Sequence, residues 1–444
     1  MLEEDFTHIT SSPLIDWQAF ANANVLITGA NGFLPAYMAK TLLNLNTTLL
    51  KSAPCRVLAL VRNYKHAREV FAPYLDPTFT KDSALGNHSG DLANFGVTAD
   101  LKSSSTPKQA QRSFFRKFAK SPTSTTANPR ILKEDKQVER KNQATNEKAD
   151  SSSTILESQA KNKLTQPLES TQQTTPKNRQ DLILITHDVS EPLSLPYPIH
   201  YIIHAASPAS PRFYKDAPLS VIYPNVLGTI NMLDLARINP VRSFLYFSSG
   251  EVYGEFAGEI DESAYGYVDP TSLRSCYAES KRMGENLCIA YGSEYGLPVK
   301  IARPFHTYGP GMKLDDGRVF ADFVRSVVMG EDIVLTSSGE AKRSFLYLAD
   351  AAIAYFLILT KGVNNEAYNV ANEQGIVSIK ELAQIIASLF PEKGLKVRFE
   401  APKESYMPSP IMSCAVKTDK LKALGWSPKI AIEQGFYKTI RSYL

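Results

Sequence analysis

NVLITGANGFLPAYMAKTLL, residues 24–43, decides the fold. Residues 24–28 read as a short strand buried on both faces. GANGF (29–33) supplies a glycine turn, and the apolar-periodic stretch from Leu34 to Leu43 reads as a helix. RVLALV (56–61) then reads as a second strand. The order is β-α-β, the mark of a parallel sheet.

Further strands are predicted at 181–186 (DLILIT), 199–203 (IHYII), 243–247 (SFLYF) and 298–303 (PVKIAR), with a helix from Pro218 to Ile238. The pattern predicts an α/β fold: a doubly wound parallel Rossmann sheet with a smaller C-terminal substrate-binding lobe. Between the second and third strands, Lys102 to Arg179 is rich in Ser, Thr, Gln, Asn, Lys and Glu. Such a stretch buries too little apolar surface to offset its ordering entropy. A long disordered insertion is therefore expected over 78–179. Its basic, aromatic SFFRKFAK (113–120) reads more simply as a sticky loop piece than as a docking helix for a membrane or partner. The expected division is 15–77 with 180–304 for the dinucleotide-binding domain, and 305–444 for the substrate-binding lobe.

The 444 residues exceed one compact core, and the formal charge of +4 makes no general case for nucleic-acid binding. Cys55, Cys276, Cys288 and Cys414 are widely spaced and the seven histidines form no H-x-x-x-H, which predicts no structural metal and no disulfide framework. MLEEDF is acidic where a signal peptide is basic, and no apolar run reaches membrane-spanning length. A cytoplasmic, reducing location without stable membrane insertion is the simplest expectation.

In the turn, Gly29 permits a tight bend and Gly32 lets the backbone approach a pyrophosphate at the helix N-terminus. Asn31 and Phe33 share that turn. Pro35 stands where a third glycine is usual, and proline is tolerated at a helix start. After the second strand the chain reads Val61-Arg62-Asn63, without the carboxylate that commonly meets an adenosine ribose. Arg62 suits a 2′-phosphate, which would favour NADP, or the adenine face. NAD is the expected cofactor, because enzymes that recycle their cofactor usually hold it, with NADP as the alternative. Asp188 and Val189 are candidate adenine contacts, a turn being the other reading.

Tyr277-Ala-Glu-Ser-Lys281 puts a phenol and an ammonium on one helical face. Tyrosine is a poor base near neutral pH. A lysine cation, joined by the cofactor's charge, favours the phenolate, which takes a proton from a hydroxyl as hydride leaves. Ser248-Ser-Gly-Glu-Val-Tyr-Gly254 follows a buried strand and offers a hydroxyl to orient the substrate oxygen.

Together TGANGF, His204-Ala205-Ala206-Ser207, SSGEVYG and YAESK resemble the extended short-chain dehydrogenases, the NAD-dependent epimerase/dehydratase group. SPASPRFYKDAP (207–218), NVLGTINML (225–233), RSCYAESKRMGE (274–285) and RPFHTYGPGMKLDDGRVFADF (303–323) are similar to its UDP-glucuronate decarboxylases (UDP-xylose synthases). AKRSFLYLAD (341–350) and LGWSPK (424–429) fit the same lobe. The resemblance implies oxidation at C4 of a nucleotide sugar, loss of carbon dioxide and re-reduction. It makes Tyr277 the base and Lys281 its electrostatic partner. It puts Ser249 on the 4-oxygen, Glu251 near the carboxylate, and Arg343 on the carboxylate or pyrophosphate. Ala205, Ala206, Ser207 and Asn225 join the cofactor site; Pro208, His306 and Arg318 join the substrate site. A homodimer paired through the Tyr277 helix and its neighbour is implied too.

The chain departs from the family at Ser249-Gly250-Glu251 (usually T-S-E), at His306 (usually asparagine) and at Pro35. Alternative reactions are 4-epimerisation and 4,6-dehydration; Gly250 supplies no acid for the latter. A cofactor-bound scaffold without turnover is the reading from another class.

Overall fold

The computed structural model describes residues 2–75, 181–256, 258–401 and 415–444. The insertion expected over 78–179, with SFFRKFAK, and Cys414 lie outside the described residues. All described residues belong to one compact unit.

The first five strands are β1 (Asn24–Thr28), β2 (Arg56–Val61), β3 (Leu182–Thr186), β4 (Tyr201–His204) and β5 (Ser243–Phe247). A short β6 (Glu259–Ile260) precedes β7 (Val299–Pro304), and β8 (His306–Tyr308), β9 (Ile333–Leu335), β10 (Lys342–Tyr347) and β11 (Glu366–Val370) follow. The main sheet has seven strands in the order β3-β2-β1-β4-β5-β7-β11. Every pairing in it is parallel. The chain reverses direction of winding between β1 and β4, so a crevice opens beyond their C-terminal ends.

Both faces of this sheet are covered, as near-continuous apolar strands require. Val25 and Ile27 of β1 pack on one side with Met38 and Leu42 from the helix Phe33–Leu45 and Phe356 from the helix Leu348–Lys361. Leu26 points the other way, to Met232 and Leu233 of the helix Pro218–Arg237 and Cys288 of the helix Cys276–Tyr295.

Strands β1, β2 and β5 have the bounds expected of them. The last sheet strand, β11, and the helix Leu348–Lys361 come from chain beyond residue 305. The C-terminal stretch therefore also completes the sheet: Glu366–Val370 fits the register beside β7 and covers its edge. The remaining lobe is built on a second, three-stranded sheet, Ile376–Ser378, β10 and β8. Its helix Ile379–Ser388 starts with a capping box between Ser378 and Glu381.

The N-terminus forms a helix, Glu3–Thr10. It docks by buried polar contacts. Asp5 accepts hydrogen bonds from Tyr37 (2.7 Å) and Tyr347 (2.9 Å) and lies 3.6 Å from Lys438 Nζ. His8 meets Asp350 at 2.8 Å.

Candidate active site

Parallel strands bring the loops after β1, β4, β5 and β7 to one edge, and the predicted site residues with them. At the end of β1, Gly29 has φ +63°, and a Cβ there would lie 2.8 Å from Ala206 Cα. Only glycine combines that backbone angle with so close an approach. Gly32 caps the helix Phe33–Leu45, and Asn31 reaches the Asn63 carbonyl at 3.4 Å. Pro35 sits in the first helical turn, where no hydrogen bond is lost.

Thr28, invisible as a site residue in the sequence, ties β1 to β4. Its Oγ1 accepts from the Ala205 and Ala206 amides, both at 3.0 Å, and contacts His204 Nδ1 at 2.9 Å. The Thr28 hydroxyl therefore donates to Nδ1, which leaves the His204 proton on Nε2, facing Thr229 at 3.2 Å. Burial, with the Lys281 charge nearby, lowers the His204 pKa to about 3. His204 is a neutral structural pin of the crevice.

Arg62 is exposed at the end of β2. Asp188 accepts from the Ser190 amide, a local turn, and Val189 packs under Gly228, where a Cβ would lie 2.8 Å from Val189 Cγ2. Ser207 Oγ and Asn225 Oδ1 are buried without a hydrogen-bond partner. These orphan atoms and the glycine cradle fit a dinucleotide along the crevice. Gly29→Ala is expected to cut affinity for NAD by at least tenfold while the chain still folds; calorimetric titration checks this, and unchanged affinity would refute the cradle.

The helix Cys276–Tyr295 carries Tyr277 and Lys281 on its buried face. It lies close to the sheet because Gly284 faces Tyr246 Oη, where a Cβ would sit 2.0 Å away. Lys281 Nζ donates to the Phe247 carbonyl at 2.6 Å. Burial holds its pKa down to about 7, against the pull of Glu285. Tyr277 is pushed up to about 12 by burial; the nearby Ser249 hydroxyl pulls the other way, Glu251 raises it, and Arg318 and Arg274 lower it. Lys281 Nζ lies 5.9 Å from the Tyr277 ring centre.

Ser249 also caps the turn Gly250–Tyr253, accepting from the Glu251 amide at 3.2 Å. A side chain at Gly250 would meet the Phe305 ring at 3.0 Å; that ring occupies the space a serine would need. Asn225 donates to Ser280 Oγ at 2.9 Å and so joins its helix to the one that carries Tyr277.

From the lobe, Arg343 is 8% exposed and its Nη1 donates to the Lys342 carbonyl at 2.8 Å. Its charge and that of Arg318, with burial first, push the His306 imidazole pKa down to about 3. His306 Nδ1 is buried without a hydrogen-bond partner. Arg318 is held by Asp316, Nε to Oδ2 at 2.7 Å. Pro208 is half-buried, in the loop that reaches the lobe where Ser210 Oγ bonds the Asp316 carbonyl at 2.5 Å.

Sequence reasoning missed three supports. Glu285, one turn beyond Lys281, bonds Ser248 and forms a two-pronged ion pair with Arg303 (2.9 and 2.6 Å). Arg274 pairs with Glu251 at 3.0 Å. Tyr214 stacks on Tyr277, centroids 5.3 Å apart. The spacing of Glu285 from Lys281 was a usable signal; the other two meet only in space.

This arrangement resembles known proteins. The model of the NAD dependent epimerase/dehydratase family matches residues 155–371. UDP-glucuronic acid decarboxylase 6 of Arabidopsis thaliana is 38% identical over 254 residues, 57% of this chain and 71% of that one. Among solved structures, a UDP-N-acetylglucosamine 4-epimerase from Methanobrevibacter ruminantium in complex with UDP-N-acetylmuramic acid aligns with a TM-score of 0.61 at 17% identity, over 95% of this chain and 98% of that one. A UDP-glucuronic acid 4-epimerase from Bacillus cereus in complex with UDP-glucuronic acid and NAD aligns at 0.57 and 16%, with the same coverage. At such identities the structural likeness shows the fold alone.

Proposed function

The chain belongs to the NAD dependent epimerase/dehydratase family and is an NAD-dependent nucleotide-sugar enzyme, and on that footing we propose that it decarboxylates UDP-glucuronate. The observation that carries this is the set of groups around Tyr277. The Ser249 hydroxyl lies beside the phenol, and Glu251, Arg274 and Arg318 share its field. Arg318 shares that of His306 with Arg343. A base beside a cationic wall suits a sugar that carries a carboxylate and a pyrophosphate.

Tyr277, as phenolate, takes the proton of the sugar 4-hydroxyl, and Ser249 hydrogen-bonds the same oxygen. A nicotinamide held along the crevice would supply reversible hydride acceptance at C4. The C4 ketone makes the uronic acid a β-keto acid, so the C5–carboxylate bond breaks with its electrons passing toward the ketone oxygen. C5 takes up a proton from water, and Tyr277 returns its own proton to the 4-oxygen as C4 is reduced again. Glu251 and Arg343 hold the carboxylate region, and Arg343, Arg318, His306 and Pro208 hold the remainder of the nucleotide sugar. Gly29, Asn31, Gly32, Phe33, Arg62, Asp188, Val189, Ala205, Ala206, Ser207 and Asn225 line the cofactor. NAD is the preferred form in this reading; the exposed Arg62 is the group through which NADP would be accepted, and competitive titration of the two dinucleotides separates them.

The test is incubation with UDP-glucuronate and added NAD. Carbon dioxide release with a UDP-pentose, or its 4-keto form, supports the decarboxylase. Inversion at C4 without carbon dioxide would assign 4-epimerisation, and loss of water from a neutral hexose 4,6-dehydration.

A homodimer is part of this reading. Leu219, Tyr223 and Leu227 stand four apart on the helix Pro218–Arg237 and are exposed, as are Met283 and Ile289 on the catalytic helix. Two copies facing each other would cover that row. Tyr223→Glu with Leu227→Glu is expected to halve the mass seen by light scattering; a wild-type mass of one chain would end the dimer reading. A cytoplasmic location also remains part of the proposal; among the described residues no helix is long and apolar enough to cross a membrane.

A further inference from the structure

We propose that Arg274 is a positioning residue that neutralises Glu251 beside Tyr277, so that a carboxylate and a phenolate can work side by side; this deepens, and rests on, the reading of Tyr277 as the base.

Arg274 sits in the short turn Leu273–Ser275 that runs straight into the catalytic helix. Its own amide is fixed by Ser272 Oγ at 3.3 Å. Its guanidinium makes two contacts. One is the 3.0 Å hydrogen bond from Nη2 to Glu251 Oε2, with the two side chains 19% and 28% exposed. The other is the face of Tyr214, 4.9 Å from the ring centre. Tyr214 is in turn stacked on Tyr277 at an interplanar angle of 16°. It is 2% exposed, and its hydroxyl donates to the Ala209 carbonyl at 3.1 Å. Cation, tyrosine plate and catalytic phenol thus form one stack, closed on its side by Glu251.

The arrangement answers an electrostatic difficulty. A carboxylate next to a phenol that must ionise opposes that ionisation. The groups facing Tyr277 are the Ser249 hydroxyl and Glu251 after β5, Arg318 from the lobe, Arg274 from the turn, Tyr214, Tyr246 on β5, and Lys281 on its own helix. Of these, Glu251 is the one carboxylate acting against the phenolate. Among the described residues, Arg274 is the one cation bonded to it. A lysine keeps the charge but not the planar guanidinium over the Tyr214 ring.

The test follows the pH dependence of turnover of whichever nucleotide sugar the wild-type chain converts. Failure of the UDP-glucuronate assignment then shows in the wild type, and failure of the Arg274 assignment only in the variants. Arg274→Gln is expected to lower kcat about 10- to 100-fold near neutral pH, with the KM for the sugar little changed and NAD affinity unaltered. The limb of the profile that reports Tyr277 should move up by about 1–2 pH units. The double variant Glu251→Gln with Arg274→Gln removes both charges and should bring that limb back toward its wild-type position, which a loss of packing would not do. Arg274→Lys should fall between wild type and Arg274→Gln. An unmoved limb in Arg274→Gln, or a double variant whose limb stays displaced, would overturn the proposal.

Discussion

Tyr277→Phe is expected to lower turnover by roughly 10²–10⁴-fold, the usual contribution of a positioned acid–base group, without loss of NAD affinity. The ring stays stacked on Tyr214 and only the hydroxyl is lost, so the variant should fold and bind cofactor as before. The phenol is pushed up to about 12 and Lys281 down to about 7, both chiefly by burial. Raising the pH therefore favours the phenolate but removes the lysine proton that supports it. The rate is expected to rise with pH as the Tyr277 phenolate forms and to level off above about 7, where loss of the Lys281 charge offsets further ionisation. Steady-state rates and a parallel NAD titration check both statements. Retention of more than a tenth of the rate would move the base elsewhere, and an unchanged cellular role for an inactive variant would favour the scaffold reading.

Asp5→Ala is expected to destabilise the chain by about 3–5 kcal/mol, the range for breaking a buried charged pair by removing one partner. Asp5 is fully buried. Its loss strands the Tyr37 and Tyr347 hydroxyls and leaves Lys438 with only the more exposed Glu4, at 3.1 Å. Both tyrosines have pKa values raised above the ordinary range, by burial first and then by Asp5. They are thus neutral donors whose hydrogen bonds have no substitute. Tyr37 lies on the first sheet helix and Tyr347 ends β10, so the effect should extend to the lobe. A urea titration gives the change as a shift of midpoint at constant slope. A loss under about 1 kcal/mol would show that water replaces the carboxylate.

These two sites differ in how they could be read. Tyr277 and Lys281 are legible because helical spacing alone puts them on one face, and because Ser249 follows a strand whose end must meet that helix in a parallel sheet. Gly29 and Gly32 are legible because a strand-turn-helix leaves few other uses for them. Asp5 is not: an acidic residue near a chain end carries no local signal of burial, and its partners lie at positions 37, 347 and 438.

The same distinction holds for the remainder. Local pattern determined β1, β2 and β5 to the residue, and the parallel, doubly wound order followed from alternating strands and helices. It could not determine that β11, far along the chain, closes the sheet beside β7, because edge pairing depends on which strand reaches the edge. Nor could it show that Thr28 pins His204 in one tautomer, that Phe305 fills the space over Gly250, or that Arg274 and Tyr214 stack against Tyr277. Periodicity and turn chemistry act over a few residues and are written in the sequence. Contacts between distant side chains exist only once the chain has folded, and they set the charge and placement of the groups that the sequence names.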